Sequence, residues 1–271
     1  MKMLRSKHLL ITGLVTTDSI AFAVAERAQL MGAELLLTAL PRDRELAEEA
    51  ASKLPNAAPI LDLDATDGEQ VEQLTEQIAE RSPRLDGVLH AIAFAPREAL
   101  AGDFLAAAPE RVDLAFNASA YSYAALARVL RDLAPPEGGS IVGLDFAAEG
   151  AWPIYNWMGV CKAALNSINR YVARDLGPAG IRSNLVAAGP LRTRAASGIP
   201  AFDYLERAWE QQAPMEWNPG DPGPVADAVC FPLSDLARAI TGETINVDGG
   251  YHAMQGPSLE SVLGPEQAAK A

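Results

Sequence analysis

The chain has few of the features that mark secreted, membrane or nucleic-acid-binding proteins. Its 271 residues include only two cysteines, Cys161 and Cys230, so no disulfide framework is predicted and a reducing cytoplasm is expected. No segment reaches the roughly 20 apolar residues that a membrane-spanning helix needs. Because the formal net charge is −13, neither nucleic acid nor an anionic membrane surface is expected as the main partner.

Three further absences concern the organisation of the chain. No group of His, Cys or carboxylate residues has metal-ligand spacing, so no metal site is predicted. No Gly-, Ser- or Pro-rich linker and no fixed repeat occurs, which favours one domain over residues 1–255 and a loose tail over residues 256–271. At the N-terminus, basic residues precede an apolar run, as in a signal peptide. The run from His8 to Val15 is short and broken by Gly13, so this segment is interpreted as part of a folded cytoplasmic protein.

Short apolar segments alternate with helical patterns along the sequence. The predicted strands are Leu9–Ile11, Leu35–Thr38, Ile60–Leu63, Val88–Phe94, Ser140–Leu144, Ser183–Ala187 and Thr244–Val247. The main predicted helices run over about Ser19–Met31, Arg44–Lys53, Val71–Ile78, Ser119–Leu133 and Trp152–Gly177. Right-handed crossovers place helices on both faces of a parallel sheet, so this order predicts an α/β fold with a Rossmann-type doubly wound parallel sheet.

The helix predicted over Trp152–Gly177 carries the candidate reaction centre. Tyr155 and Lys162 lie almost two turns apart on it, and therefore on one face. Its apolar residues recur at three-to-four spacing on a face that should pack on the core, namely Val160, Leu165, Ile168, Val172 and Leu176. A tyrosine and a lysine also share helices by chance, so this pair alone does not establish chemistry.

The turn after the first strand is a candidate phosphate-binding site. Gly13 permits a tight turn, and a helix that begins near Ser19 offers free N–H groups and a positive dipole end to a pyrophosphate. The sequence departs from Gly-x-Gly-x-x-Gly because only the first glycine is present, so an ordinary strand-to-helix turn remains an alternative.

Several motifs together carry a family resemblance. They are Gly13…Ser19-Ile20-Ala21, Leu63-Asp64, His90-Ala91-Ile92-Ala93-Phe94, Ser119-Ala120-Tyr121-Ser122, Tyr155…Lys162, Arg182-Ser183-Asn184, Ala188-Gly189-Pro190-Leu191-Arg192-Thr193 and Asp248-Gly249-Gly250. This combination resembles the enoyl-acyl-carrier-protein reductases, the divergent branch of the short-chain dehydrogenase/reductases. Within that family it is most similar to the isoniazid-target enoyl reductase, through residues 140–146 and 155–158. Ordinary members of the superfamily carry Tyr-x-x-x-Lys, whereas Gly159 stands at that position here and the lysine follows at 162.

The resemblance implies a nicotinamide cofactor along the strand ends. The pyrophosphate side would be held by Gly13, Ser19 and Ile20, and the adenine by Asp64 and Ala65. The nicotinamide ribose would be lined by Ile92 and Ala93, and its hydroxyls would be bound by Lys162. The nicotinamide and phosphate would be covered by Leu191 and Thr193. The resemblance favours NADH. No acidic residue ends the second strand, however. NADPH is therefore an alternative cofactor, since Arg42 or Arg44 could bind its 2′-phosphate.

The resemblance also implies an activity. Hydride transfer from NADH would reduce the 2,3-double bond of a trans-2-enoyl thioester in fatty-acid biosynthesis, with Tyr155 stabilising the enolate and Phe146 beside the substrate. The expected partner is an acyl carrier protein, for which Arg97, Arg192 and Arg194 are docking candidates, and a homotetramer is expected. His90, Cys161 and Asp145 are interpreted as structural.

A segment of about residues 194–213 would form a helical substrate lid. It is shorter than in the isoniazid-target enzyme, so a preference for shorter acyl chains is expected. Two other functions remain possible. One is a short-chain reductase that acts on a carbonyl substrate, and the other is a catalytically silent NAD-binding regulator.

Overall fold

In the described part of the chain, seven parallel strands form one sheet. The computed structural model describes residues 2–82, 84–147, 149–256 and 264. The strands are β1 (His8–Ile11), β2 (Glu34–Ala39), β3 (Ile60–Asp62), β4 (Gly87–His90), β5 (Gly139–Asp145), β6 (Ile181–Ala188) and β7 (Thr244–Val247). Their order across the sheet is β3-β2-β1-β4-β5-β6-β7. The order reverses between β1 and β4, which is where ligands bind in open α/β sheets.

Helices cover both faces of this sheet. They are α1 (Ile20–Leu30), α2 (Arg44–Ala51), α3 (Gly68–Arg81), α4 (Arg97–Leu100), α5 (Pro109–Phe116), α6 (Ser122–Leu133), α7 (Asn156–Leu176), α8 (Phe202–Gln212) and α9 (Gly223–Leu233). Apolar residues of α1 and α9 pack on one face of the sheet, and those of α3, α6 and α7 pack on the other. The predicted Rossmann-type α/β fold is therefore confirmed.

Alternate strand residues supply the two cores. In β1, Leu9 and Ile11 belong to the core beneath α1 and α9, whereas Leu10 belongs to the core beneath α3 and α6. In β4, Leu89 belongs to the core beneath α1 and α9, and Val88 belongs to the core beneath α3 and α6. Because both faces are buried, the strands read as continuous apolar runs, as is usual in parallel sheets.

Several predicted elements have different bounds in the structure. Strand β4 ends at His90, whereas the prediction extended to Phe94; the last ladder pair joins His90 to Gly143 of β5, and the N–H of Phe94 donates to the Ser119 hydroxyl, which donates to the Phe94 carbonyl oxygen. The predicted helix over about Ser119–Leu133 is preceded by α5 and by a π-helical segment, Asn117–Tyr121. The prediction missed α9. Val160 was assigned to the packed face of its helix, but its side chain is 42% exposed.

Two further features bear on the organisation of the chain. The predicted loose tail, residues 256–271, lies outside the described residues except for residues 256 and 264. No helix within the described ranges combines the length and the apolar character needed to cross a membrane.

Candidate active site

The turn after β1 requires a glycine. Gly13 has a φ of +76°, and a Cβ atom placed there would lie 2.0 Å from the carbonyl oxygen of Ala91. Ser19 caps α1, since its side chain accepts a hydrogen bond from the N–H of Phe22. The N–H groups of Ile20 and Ala21 precede the first intrahelical bond and point out of the helix end, where an anion is stabilised.

The other predicted cofactor residues follow the carboxyl ends of further strands. Asp64 and Ala65 follow β3, Ile92 and Ala93 follow β4, and Leu191 and Thr193 follow β6. Since the strands are parallel, all these residues lie at one edge of the sheet. From β3 to β6 there are five strand spacings of about 4.8 Å, so the row is about 24 Å long and suits an extended dinucleotide.

Lys162 lies in the second turn of α7 with its ammonium group buried. The ammonium donates one hydrogen bond, of 2.7 Å, to the carbonyl oxygen of Leu144 at the end of β5. Burial lowers the pKa of Lys162, and the charge of Asp145 opposes this effect. An ammonium has three N–H donors, so among the described residues two of them are left for other acceptors. Together with the turn at Gly13, this donor set fits a dinucleotide with its ribose hydroxyls near Lys162.

Tyr155 immediately precedes α7 and caps it with its carbonyl oxygen, which accepts from the N–H of Met158 at 2.9 Å. Burial raises the pKa of the Tyr155 phenol, and the charge of Asp145 adds to the effect. The phenol is therefore protonated at neutral pH. In the described part of the chain its hydroxyl has no hydrogen-bond partner. It can donate to a substrate oxygen without first giving up a protein acceptor.

An aromatic cluster surrounds this phenol. It consists of five side chains, Phe146, Trp152, Tyr155, Trp209 and Tyr251. The Phe146 ring lies 5.1 Å from that of Tyr155 and 5.7 Å from that of Trp209, and Trp209 stacks on Tyr251 at 3.9 Å. Two indole N–H groups fix the cluster by donating to the carbonyl oxygens of Ala147 and Asp248.

Two cavities border the aromatic cluster. One, of about 450 Å³, is lined by Trp152 and Tyr251. The other, of about 470 Å³, is lined by Trp209 and further residues of α8. Trp209 stacks on Trp152 and its ring lies 5.7 Å from that of Phe146, so its indole occupies the space beside Phe146 on the α8 side.

The titratable side chains near Tyr155 and Lys162 are buried. Burial and the charge of Lys162 lower the pKa of His90 to about 3; its Nε2 contacts the hydroxyl of Ser122 at 2.8 Å, whereas its Nδ1 has no partner among the described residues. Burial raises the pKa of Asp145. It also raises the pKa of the Cys161 thiol to about 11, which disfavours the reactive thiolate. Within the described ranges no His, Cys, Asp and Glu side chains group to hold a metal.

Sequence reasoning missed part of this site. Trp152, Trp209 and Tyr251 were not singled out as site residues, although Trp209 lies within the predicted lid. A usable signal for Tyr251 is its place directly after the Asp248-Gly249-Gly250 turn, which returns the chain to the strand-end edge. The acceptor for Lys162 is a backbone carbonyl, which no side-chain pattern could reveal.

The chain is similar to several known proteins. The family model described as enoyl-(acyl carrier protein) reductase matches residues 13–252. An NADH-dependent enoyl-[acyl-carrier-protein] reductase of Mycolicibacterium smegmatis is 44% identical over 92% of this chain and 97% of its own. An NADH enzyme of that name from Haemophilus influenzae is 38% identical over 93% and 96%. An NADPH enzyme of that name from Staphylococcus aureus is 38% identical over 93% and 99%.

Proposed function

Because the chain belongs to the family of enoyl-acyl-carrier-protein reductases, we propose that it uses NADH to reduce the 2,3-double bond of a trans-2-enoyl thioester in fatty-acid biosynthesis. The observation that carries the proposal is the pair formed by the Tyr155 phenol and the buried Lys162 ammonium at the strand-end edge. The NADH-dependent relatives support it, since each of them spans nearly the whole chain.

The chain's own residues hold the cofactor. Bound NADH supplies the hydride. Lys162 donates its two remaining N–H groups to ribose hydroxyls. Gly13, Ser19 and Ile20 would hold the pyrophosphate, and Asp64 and Ala65 would hold the adenine. Ile92 and Ala93 would hold the nicotinamide ribose, and Leu191 and Thr193 would hold the nicotinamide and phosphate. The side chains of Ala65 and Leu191 are buried, so these two act chiefly through their backbone.

Tyr155 stabilises the charge that develops on the substrate. When the β-carbon of the enoyl group is reduced, negative charge accumulates on the thioester oxygen. The Tyr155 hydroxyl donates a hydrogen bond to that oxygen, and burial makes this bond stronger than it would be in water. Phe146 packs against the Tyr155 ring and shapes the space in which the enoyl group lies.

One assay separates this function from its alternatives. The purified chain should consume NADH with crotonyl-CoA and not with a ketoacyl thioester. Consumption with the ketoacyl thioester alone would instead identify a carbonyl reductase. Consumption with neither, together with measurable NADH binding, would identify a catalytically silent regulator.

The substrate lid, residues 194–213, limits the length of the acyl chain. It contains α8, whose buried Trp209 belongs to the aromatic cluster and lies beside Phe146. A longer acyl chain would have to displace this indole. The enzyme therefore prefers short enoyl chains.

Trp209→Leu should raise kcat/KM for dodecenoyl-CoA relative to crotonyl-CoA by about tenfold, because it removes the indole that occupies the space beside Phe146. The measurement is a kcat/KM series from crotonyl to long-chain thioesters. Trp157→Leu is the matched control, since Trp157 stacks on Phe104 outside the cluster. A wild-type kcat/KM that rises steeply with chain length would contradict the proposed preference.

The carrier is an acyl carrier protein. Arg192 is bonded to Glu206, with guanidinium-to-carboxylate distances of 2.6 and 3.2 Å, so the exposed Arg97 and Arg194 are the stronger docking candidates. Carrier proteins of this kind are acidic. Added salt should therefore raise the KM of the carrier-bound substrate more than that of the CoA thioester, and equal effects would exclude this docking.

The protein is a cytoplasmic homotetramer. The reduced, buried cysteines Cys161 and Cys230 fit a reducing compartment. The outer surface of α5 and α7 exposes Leu114, Val160 and Tyr171, an apolar surface suited to subunit contact. Light scattering should give four times the chain mass of 28.7 kDa, and a monomer mass would contradict this assembly.

A further inference from the structure

The end of β2 carries an arginine that is already engaged by two carboxylates. Arg44 is the first residue of α2, directly after the turn that follows β2. Its Nε donates to Glu48 at 2.8 Å, and its Nη1 donates to Asp62 at 2.8 Å. Both hydrogen bonds raise the pKa of Arg44, so the guanidinium is fully charged. The arginine and its two acids together carry a net charge of −1.

This cluster lies where a Rossmann-type fold meets the adenosine ribose. An acid near the end of β2 bonds the ribose 2′-hydroxyl of NADH, and an arginine there binds the 2′-phosphate of NADPH. Strand β2 ends at Ala39 without an acid, but Ala39 is paired in register with Asp62 of β3. Asp62 therefore brings a carboxylate to this position from the neighbouring strand.

We propose that Asp62 and Glu48 select NADH by occupying Arg44, which would otherwise bind the 2′-phosphate of NADPH. This inference rests on the proposed use of a nicotinamide dinucleotide. A 2′-phosphate must compete with both carboxylates for the guanidinium and is repelled by their charge. A 2′-hydroxyl can instead donate a hydrogen bond to a carboxylate. The other arginine of this turn, Arg42, is 73% exposed and lies 3.6 Å from the carboxylate of Asp43.

The test measures binding of two cofactor fragments, ADP-ribose and 2′-phospho-ADP-ribose, to the full chain by calorimetry. Asp62→Asn and the double variant Asp62→Asn/Glu48→Gln should tighten 2′-phospho-ADP-ribose binding by about fivefold to tenfold per charge removed. Binding of ADP-ribose should not tighten. Addition of Arg44→Leu to the double variant should abolish the gain. The ratio of kcat/KM for NADPH to that for NADH should follow the binding data.

Glu49→Gln is the matched control, because Glu49 lies on the same helix and pairs with Lys53 at 3.3 Å. If the double variant still binds ADP-ribose, an unchanged ratio of its affinities for 2′-phospho-ADP-ribose and ADP-ribose would overturn the inference. An equal gain in the Glu49 variant would also overturn it, since the effect would then be general electrostatics. Failure of both fragments to bind the wild-type chain would overturn the inference together with the proposed function.

Discussion

Tyr155→Phe should lower kcat for crotonyl-CoA reduction by about a hundredfold to a thousandfold, the loss that follows removal of one oxyanion donor. The variant keeps the ring that packs against Phe146, so the aromatic cluster should remain intact. Only the hydroxyl that faces the developing charge is lost. The dissociation constant of NADH should not change, because Tyr155 acts on the substrate oxygen and Lys162 on the ribose.

The measurement is steady-state kinetics with NADH binding followed by fluorescence. Tyr251→Phe is the control, since it removes a hydroxyl from another ring of the same cluster and should leave kcat unchanged. Equal losses in the two variants would indicate that the cluster, and not the Tyr155 hydroxyl, determines the rate. A kcat for Tyr155→Phe equal to that of the wild type would exclude the proposed donor.

Lys162→Ala should weaken NADH binding by at least about a hundredfold, because hydrogen bonds to a charged group contribute about 1.5–3 kcal/mol each. Two such bonds to ribose hydroxyls are lost. Lys162→Met is the second variant, since it fills the same buried space without any donor. Lys53→Met, at an exposed position just after α2, is the control.

Titration with NADH distinguishes this role from a structural one. Thermal unfolding of the variants without cofactor reports the structural cost of the substitution separately. An unchanged NADH affinity in a folded Lys162→Met protein would exclude the proposed role of Lys162.

Much of the fold follows from local sequence signals. Strand β7 has the predicted bounds, Thr244–Val247, because Asp248-Gly249-Gly250 ends it abruptly. The helix predicted from about Ser19 begins at Ile20, with Ser19 as its capping residue. Gly13 was identified from the same turn, and its φ of +76° gives the physical reason for a glycine.

Other elements depend on tertiary contacts. The residues after His90 are as apolar as a strand, yet the ladder stops at the pair of His90 with Gly143, and Phe94 satisfies its N–H and carbonyl groups at the hydroxyl of Ser119 instead. Helix α9 begins at Gly223 and contains Pro232, and these residues obscure an otherwise regular apolar pattern. Val160 lies at an apolar position of α7 but faces outward, where only a subunit contact would bury it.

In the candidate site, too, some features follow from local sequence and others depend on tertiary contacts. The spacing of Tyr155 and Lys162 is local and could be predicted. The contact of Trp209 with Phe146, and that of Arg44 with Asp62, join segments distant in sequence, and only the fold brings them together. The contacts proposed to determine chain length and cofactor preference are therefore ones that the sequence alone does not reveal.

The central claim is that Tyr155 and Lys162 act together at one dinucleotide. The direct test is a crystal structure with bound NADH. We expect the Lys162 ammonium within hydrogen-bond distance of the nicotinamide ribose hydroxyls, and the Tyr155 hydroxyl facing the space above the nicotinamide ring. A structure in which either side chain is directed away from the nicotinamide and its ribose would contradict the account.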